Sequence, residues 1–139
     1  MSDSLKTPLV VVGRVLLALM FIMAGFSKLG NISGTAGYIA SGGLPLASVL
    51  AVVVGLLELL GGIAIGFHAR WAALALGLFT IAASLLFHKF WAVAPDQAFV
   101  QQLMFMKNLS VAGGLFIVAA LGAGPVSVDA RRAPQLARA

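Results

Sequence analysis

Residues 46–67 read LASVLAVVVGLLELLGGIAIGF, an apolar run with a single charged side chain, Glu58, near its middle. A hydrocarbon core about 30 Å thick requires about 20 apolar residues in an α-helix, so this stretch predicts a transmembrane span. A carboxylate at that depth costs about 3 to more than 10 kcal/mol if it faces lipid. We therefore expect Glu58 to face the protein interior and to meet a basic side chain from a neighbouring span.

The composition of the whole chain is typical of an integral membrane protein. Of 139 residues, 61% are hydrophobic and 9% are charged, and the mean hydropathy is +1.07. Nine cationic and four anionic side chains cannot cover the surface of a soluble domain of this length. The sequence contains no cysteine, which excludes disulfides, iron–sulfur clusters and thiolate metal sites. No Lys/Arg cluster with interleaved aromatics is present, so we expect no nucleic-acid partner despite the net charge of +5.

Four apolar stretches predict a single membrane domain over residues 1–125, with spans at about residues 8–29, 46–67, 70–90 and 100–123. Between the first two spans, residues 31–45 are rich in Gly and Ser and predict a short helix at the membrane interface. His68-Ala69 predicts a tight turn, and residues 126–139 predict a polar cytoplasmic tail. The fold class is therefore an all-α, four-helix transmembrane bundle.

The basic residues outside the spans predict the orientation of the bundle. Cytoplasmic loops carry an excess of Lys and Arg. Lys28 and Lys89 lie on one side of the predicted spans, whereas the opposite side carries Lys6, Arg70, Arg131, Arg132 and Arg138. We expect both termini to face the cytoplasm.

Arg14, Glu58 and Lys107 are the ionisable side chains well inside the apolar stretches. At a rise of 1.5 Å per residue, Arg14 and Glu58 lie about 9 and 13 Å from the same end of the predicted spans. Their similar depth predicts a buried ion pair between Arg14 and Glu58. Such a pair has an alternative interpretation, in which it only fixes the register of the helices.

Lys107 lies about 24 Å from that end and predicts a second polar group, nearer the outside. Its predicted neighbours are Lys28, His88 and Asn108. These four side chains are the candidate ligand-binding residues, in a cavity suited to an anion, a quinone carbonyl or a lipid headgroup. His68 and His88 lie about 30 Å apart along the third span, so no metal or haem site is expected.

Several short motifs are similar to those of the DoxX family. They are Gly13-Arg14, residues 24–29 (AGFSKL), Gly43-Leu44-Pro45, residues 57–62 (LELLGG) and residues 124–129 (GPVSVD). The likeness covers essentially the whole chain except the last ten residues, although Val126 stands where a basic residue is common. The resemblance implies a small four-span bacterial inner-membrane protein. The family name comes from subunits associated with a thiosulfate-oxidising quinone reductase, and some members are linked to membrane redox or oxidative-stress complexes.

The leading functional hypothesis is a membrane subunit of a redox system that binds a quinone or a similar small amphiphile. The sequence shows no electron carrier, so electrons would come from a bound cofactor or a redox protein partner, and whether the chain is itself an enzyme stays open. A homo-oligomer also stays open. The alternatives are a small proton-coupled transporter or relay in which Glu58 titrates, and a non-catalytic membrane scaffold.

Overall fold

The computed structural model describes residues 3–67 and 69–122, with side-chain burial for residues 5–66 and 70–122. The helices in these ranges are α1 (Asp3–Gly30), α2 (Ile32–Ser41), α3 (Ala47–Phe67), α4 (Ala69–Phe87) and α5 (Pro95–Leu121). All except α2 are long and apolar enough to cross a membrane. The predicted all-α bundle with four spans and a short helix between the first two is confirmed.

Three helix ends differ from the predicted spans by three residues or more. α1 begins at Asp3 rather than near residue 8, and α4 ends at Phe87 rather than near residue 90. α5 begins at Pro95 rather than near residue 100, because proline suits the first turn of a helix and Asp96 interacts favourably with the positive end of the helix dipole. His68 and the predicted tail at residues 126–139 lie outside the described residues.

The four long helices form a ring in the order α1, α3, α4, α5. α1 packs mainly against α3, and α4 packs mainly against α5. Contacts between α3 and α4, and fewer contacts between α1 and α5, close the ring, while α2 packs on α3. The bundle thus consists of two tightly packed helix pairs.

Two glycines allow the backbones of α1 and α3 to touch. A Cβ atom at Gly25 would overlap the backbone nitrogen of Leu59 and lie 2.6 Å from the carbonyl oxygen of Gly55. At Gly62, a Cβ atom would lie 2.9 Å from the backbone nitrogen of Ile22. Small residues at such crossings are how membrane helices approach closely. These contacts fix which residues of α1 and α3 lie at the same depth.

The apolar core fills the half of the bundle nearer the end at which α1 begins. It is formed by one cluster of buried side chains from all four long helices: Ala18, Phe21, Ile65, Ala73, Leu76 and Leu115. Many large apolar side chains on the outside of the bundle are exposed, including Leu16, Val53, Leu78 and Ile117. Such a surface is stable in lipid, where apolar side chains need no protein cover.

Candidate functional site: a polar cavity beneath α2

A cavity of about 420 Å³ lies between the helices in the half of the bundle that carries α2. This volume is within the usual range of small-molecule sites, about 300–1,000 Å³. Most of the lining is apolar and includes Phe21, Leu50 and Phe79. The polar part of the lining includes Lys28, Glu58, Thr80, His88, Lys107 and Asn108.

Glu58 faces this cavity and forms an ion pair with Lys28. The Nζ atom of Lys28 lies 2.6 Å from Oε2 of Glu58. Glu58 is 6% exposed as a residue, whereas the side chain of Lys28 is 31% exposed. Lys28 lies in the last turn of α1, where the helix dipole also favours a cation. The acid of the second span therefore points inward and is neutralised from the neighbouring helix.

Glu58 forms its ion pair with Lys28. The sequence predicts Arg14 as the partner instead. Gly25 lies level with the segment of α3 that contains Glu58, and Arg14 lies eleven residues earlier, about 16 Å along the helix axis. In that prediction, the depth of Arg14 and the depth of Glu58 are each counted from the end of that residue's own predicted span. This count does not account for the extra turns of α1, which continue past the end of α3. Arg14 is nevertheless buried, at 6% exposure.

His88 is held at the cavity by contacts from two helices. Its backbone N–H donates to the carbonyl oxygen of Ser84, 2.9 Å away, just beyond the end of α4. Its Nδ1 atom lies 2.9 Å from Oε1 of Gln101 on α5. Because an amide oxygen only accepts hydrogen bonds, this contact indicates that Nδ1 carries the proton. Nε2 is then the acceptor atom of the neutral ring.

Gln101 was not identified from the sequence, although a signal for it exists. It lies seven residues before Asn108, and residues seven apart share one face of an α-helix. An amide inside an apolar span, on the same face as another amide, indicates a polar interior. Gln101 therefore belongs to the candidate site through its contact with His88.

The α5 helix supplies Lys107 and Asn108 to the cavity. The Nζ atom of Lys107 lies 3.5 Å from the thioether sulfur of Met104, one turn earlier on the same helix. A thioether is a weak acceptor and carries no charge. Lys107 thus brings a positive charge to the cavity. Among the described residues, no carboxylate forms an ion pair with it.

The α2 helix covers one side of the cavity with Thr35, Tyr38 and Ile39. The ring of Tyr38 stacks on Phe87 of α4, with centroids 5.0 Å apart. The hydroxyl of Thr35 lies 2.9 Å from the carbonyl oxygen of Asn31 and 3.3 Å from that of Lys28, so it contacts the end of α1. The short helix therefore joins the end of α1 to the end of α4 across the cavity.

The structure brings the four predicted ligand-binding candidates, Lys28, His88, Lys107 and Asn108, to this one cavity, together with Glu58. That they bind a ligand stays a prediction. Within residues 3–67 and 69–122, no three side chains of the metal-ligating types come together.

A second cavity, of about 610 Å³, lies at the opposite end of the bundle between α4 and α5. Apart from Arg70, its lining is apolar and consists of Trp71, Leu74, Phe116, Ala119 and Ala120. Arg70 donates from Nε to the carbonyl oxygen of Ala119 at 3.2 Å and from Nη2 to that of Ala120 at 3.0 Å. This arginine is therefore occupied in capping α5. The smaller cavity is the candidate site because its polar groups face the space.

Comparison with known proteins agrees with the architecture. The DoxX family model matches residues 9–89. The chain is 40% identical over 122 residues to the inner membrane protein YqjF of Escherichia coli K12, covering 86% of this chain and 88% of that protein. It is 31% identical over 125 residues to the inner membrane protein YphA of the same organism, covering 88% and 89%.

A more distant similarity reaches a eukaryotic protein. The chain is 28% identical over 131 residues to the ER-derived vesicles protein ERV29 of Saccharomyces cerevisiae, covering 94% of this chain but 36% of that protein. No solved structure matches the chain significantly. The four apolar helices and the inner-membrane relatives indicate a multi-pass inner-membrane protein. The family match covers more than half of the chain, and the chain belongs to the DoxX family.

Proposed function

We propose that the protein is a membrane-embedded subunit of a redox system that binds a quinone or a similar small amphiphile in the cavity beneath α2. One observation carries the proposal: an apolar cavity of about 420 Å³ has hydrogen-bonding side chains grouped in its lining. Small-molecule sites have this general character, with mostly apolar walls and a few polar groups that fix orientation.

The chemistry of the polar lining fits both forms of a quinone. The ammonium group of Lys107 and the amide nitrogen of Asn108 are donors suited to a quinone carbonyl. Since Nδ1 of His88 faces Gln101, Nε2 is the ring atom left to accept a hydrogen bond from a hydroquinone hydroxyl. Phe21 and Phe79 provide apolar walls for the ring of the ligand.

A binding subunit, rather than a complete redox enzyme, is the form that this chain supports. The described residues offer no grouping for a redox metal, and the sequence offers no cysteine. We propose that a partner protein carries the electrons. On the distribution of Lys and Arg we also infer that both termini are cytoplasmic, which places the cavity in the outer half of the membrane.

The test is the binding of decyl-ubiquinone to the purified protein in lipid nanodiscs. Ala83 lines the cavity, and the variant Ala83→Phe fills part of it. Ala75 lies on the same helix and is exposed on the outside of the bundle, so Ala75→Phe is the matched control. We expect Ala83→Phe to weaken binding at least about tenfold and Ala75→Phe to leave it unchanged. Equal binding by the two variants, or no saturable binding by the wild type, would contradict the proposal.

A further inference from the structure

We propose that the natural occupant of the cavity is an anion: an amphiphile with an apolar body and a single negatively charged oxygen head, held by Lys107. This inference shares its site with the proposed function, but it does not require the occupant to be a quinone. It rests on the charges that line the cavity and on the depth of Lys107 in its helix.

The charged groups at the cavity do not balance. Lys28 and Glu58 neutralise each other in their ion pair. Lys107 adds a second positive charge, and the contact of its Nζ atom is the uncharged sulfur of Met104. His88 and Asn108 contribute no negative charge. The two lysines and one glutamate in the lining therefore sum to a net charge of about +1, and no other described residue of the lining adds a negative charge.

No other carboxylate in the described part of the chain lies near Lys107. Asp96 is on the same helix but eleven residues earlier, about 16 Å along the axis. Asp3 begins α1, at the opposite end of the bundle from α2. Within residues 3–67 and 69–122, neither of these carboxylates could pair with Lys107 unless the helices rearranged over a large distance.

Lys107 lies near the middle of α5. It lies twelve residues after Pro95 and fourteen before Leu121, about 18 and 21 Å from the two ends of α5. Its side chain is exposed in the bundle and forms part of the cavity lining. An uncompensated cation inside a membrane is costly, so a charge at this depth that lines a cavity indicates an ionic ligand.

The arrangement of donors selects the head of the ligand. Lys107 and Asn108 are consecutive residues that both line the cavity, and an ammonium and an amide together can donate to one charged oxygen or to the two oxygens of a carboxylate. The apolar walls around Phe21 and Phe79 suit the uncharged body. An ionised hydroxyquinone and an alkyl carboxylate share this chemistry, and the experiment below distinguishes them.

The test compares the binding of matched ligands to the protein in nanodiscs of zwitterionic lipid. Such lipid contains no anionic headgroup that could compete with the ligands for the cavity. One pair is a 2-hydroxy-3-alkyl-1,4-naphthoquinone, which is ionised at neutral pH, and its neutral 2-methoxy ether. The second pair is an alkyl carboxylate and the alcohol of equal chain length. We expect the ionised member of a pair to bind at least about tenfold more tightly than its neutral analogue.

Three variants assign the preference to Lys107. Lys107→Gln should reduce the difference within a pair to less than about twofold, while Lys107→Arg should retain it, since only arginine keeps the charge. Lys89 is exposed and does not line the cavity, so Lys89→Gln is the matched control and should change nothing. If Lys107→Gln does not fold, the comparison of ionised and neutral ligands on the wild-type protein still tests whether the cavity prefers an anionic head.

The outcomes separate this inference from the proposed function. The proposal of an anionic head is overturned if the hydroxyquinone and its ether bind equally and the carboxylate binds no better than the alcohol. That result leaves the proposal of quinone binding intact. Binding of the carboxylate without either quinone supports the anionic head and overturns the quinone. A charge preference that survives in Lys107→Gln overturns the assignment to Lys107.

Discussion

Lys28 and Glu58 join α1 to α3 at the wall of the cavity, with 2.6 Å between Nζ and Oε2. The pair lies one helical turn beyond Gly25, at which the two backbones touch. Its position makes the pair both a link between the helices and part of the cavity lining. The two partners differ in exposure, and this difference leads to the first prediction.

Loss of Lys28 should destabilise the protein more than loss of Glu58. Lys28→Met leaves a buried carboxylate unpaired, which costs about 3 kcal/mol or more. Glu58→Gln leaves Lys28, whose side chain is 31% exposed and can be hydrated in the cavity, so we expect a loss of about 1–2 kcal/mol. The double variant should be more stable than Lys28→Met. Thermal melting in detergent measures the order, and equal losses for the two single variants would contradict it.

The contact between α1 and α3 should not tolerate a methyl group at Gly25. A Cβ atom there overlaps the backbone of α3, so Gly25→Ala should destabilise the protein by about 1–3 kcal/mol. Gly13 is the matched control, because it lies in the same helix and a Cβ atom would meet nothing within 4 Å. Gly13→Ala should be neutral or stabilising by up to about 1 kcal/mol. Similar melting temperatures for the two variants would show that the helices do not pack in this register.

Gln101 should determine the tautomer of His88. In the wild type, the contact with Oε1 of Gln101 favours the proton on Nδ1. Gln101→Leu removes that acceptor, so the population should move toward the Nε2–H form. The imidazole ¹⁵N chemical shifts report the tautomer, and a His68→Gln background leaves His88 as the remaining histidine. Gln102→Leu changes an exposed neighbour and should leave the shifts of His88 as they are.

Arg70 should hold the last turn of α5 in place. It donates to the carbonyl oxygens of Ala119 and Ala120 in the last turn of α5. Carbonyl groups in the last turn of a helix have no N–H partner within that helix. Arg70→Gln should cost about 1 kcal/mol and raise hydrogen exchange at the end of α5. Arg70→Lys should have an intermediate effect, because an ammonium group does not reproduce the fork of donors in arginine. Unchanged exchange in both variants would show that this cap contributes no stability.

Both termini should lie in the cytoplasm. A green fluorescent protein fused after Ala139 should fluoresce, and an alkaline phosphatase at the same place should be inactive, since each reporter functions on one side of the inner membrane. The same reporters inserted between α4 and α5, at residues 92–94, should give the opposite pattern. A fluorescent loop fusion together with an active terminal phosphatase would reverse the orientation and place the cavity in the inner half.

The sequence was sufficient for the spans and for most of the polar side chains that line the cavity, because both depend on local pattern and helix geometry. Apolar runs of fixed length identify the four spans, and counting the rise per residue places His88, Lys107 and Asn108 at similar depth. These residues do line one cavity with Lys28. The short α2 helix was also recognisable from the helical spacing of Ile32, Tyr38 and Ile39 and from Gly42-Gly43, which follow it.

The partner of Glu58 could not be obtained in this way. The choice between Arg14 and Lys28 depends on how far α1 slides along α3, and that register is set by contacts of Gly25 and Gly62 with the opposing backbone. Depth measured from the ends of the spans carries errors of several residues, and each residue of error moves a side chain by about 1.5 Å. Gln101 was missed for a different reason, since its role arises from a contact with a residue beyond the end of another helix.

The backbone contact between α1 and α3 also restricts how a molecule could enter or leave the bundle. Two helices that meet without intervening side chains cannot part without losing close packing along the whole crossing. α4 and α5 are likewise extensively packed against each other. The boundary between α1 and α5 is the most sparsely packed of the four in the ring, so exchange between the cavity and the bilayer at that boundary would disturb the least packing.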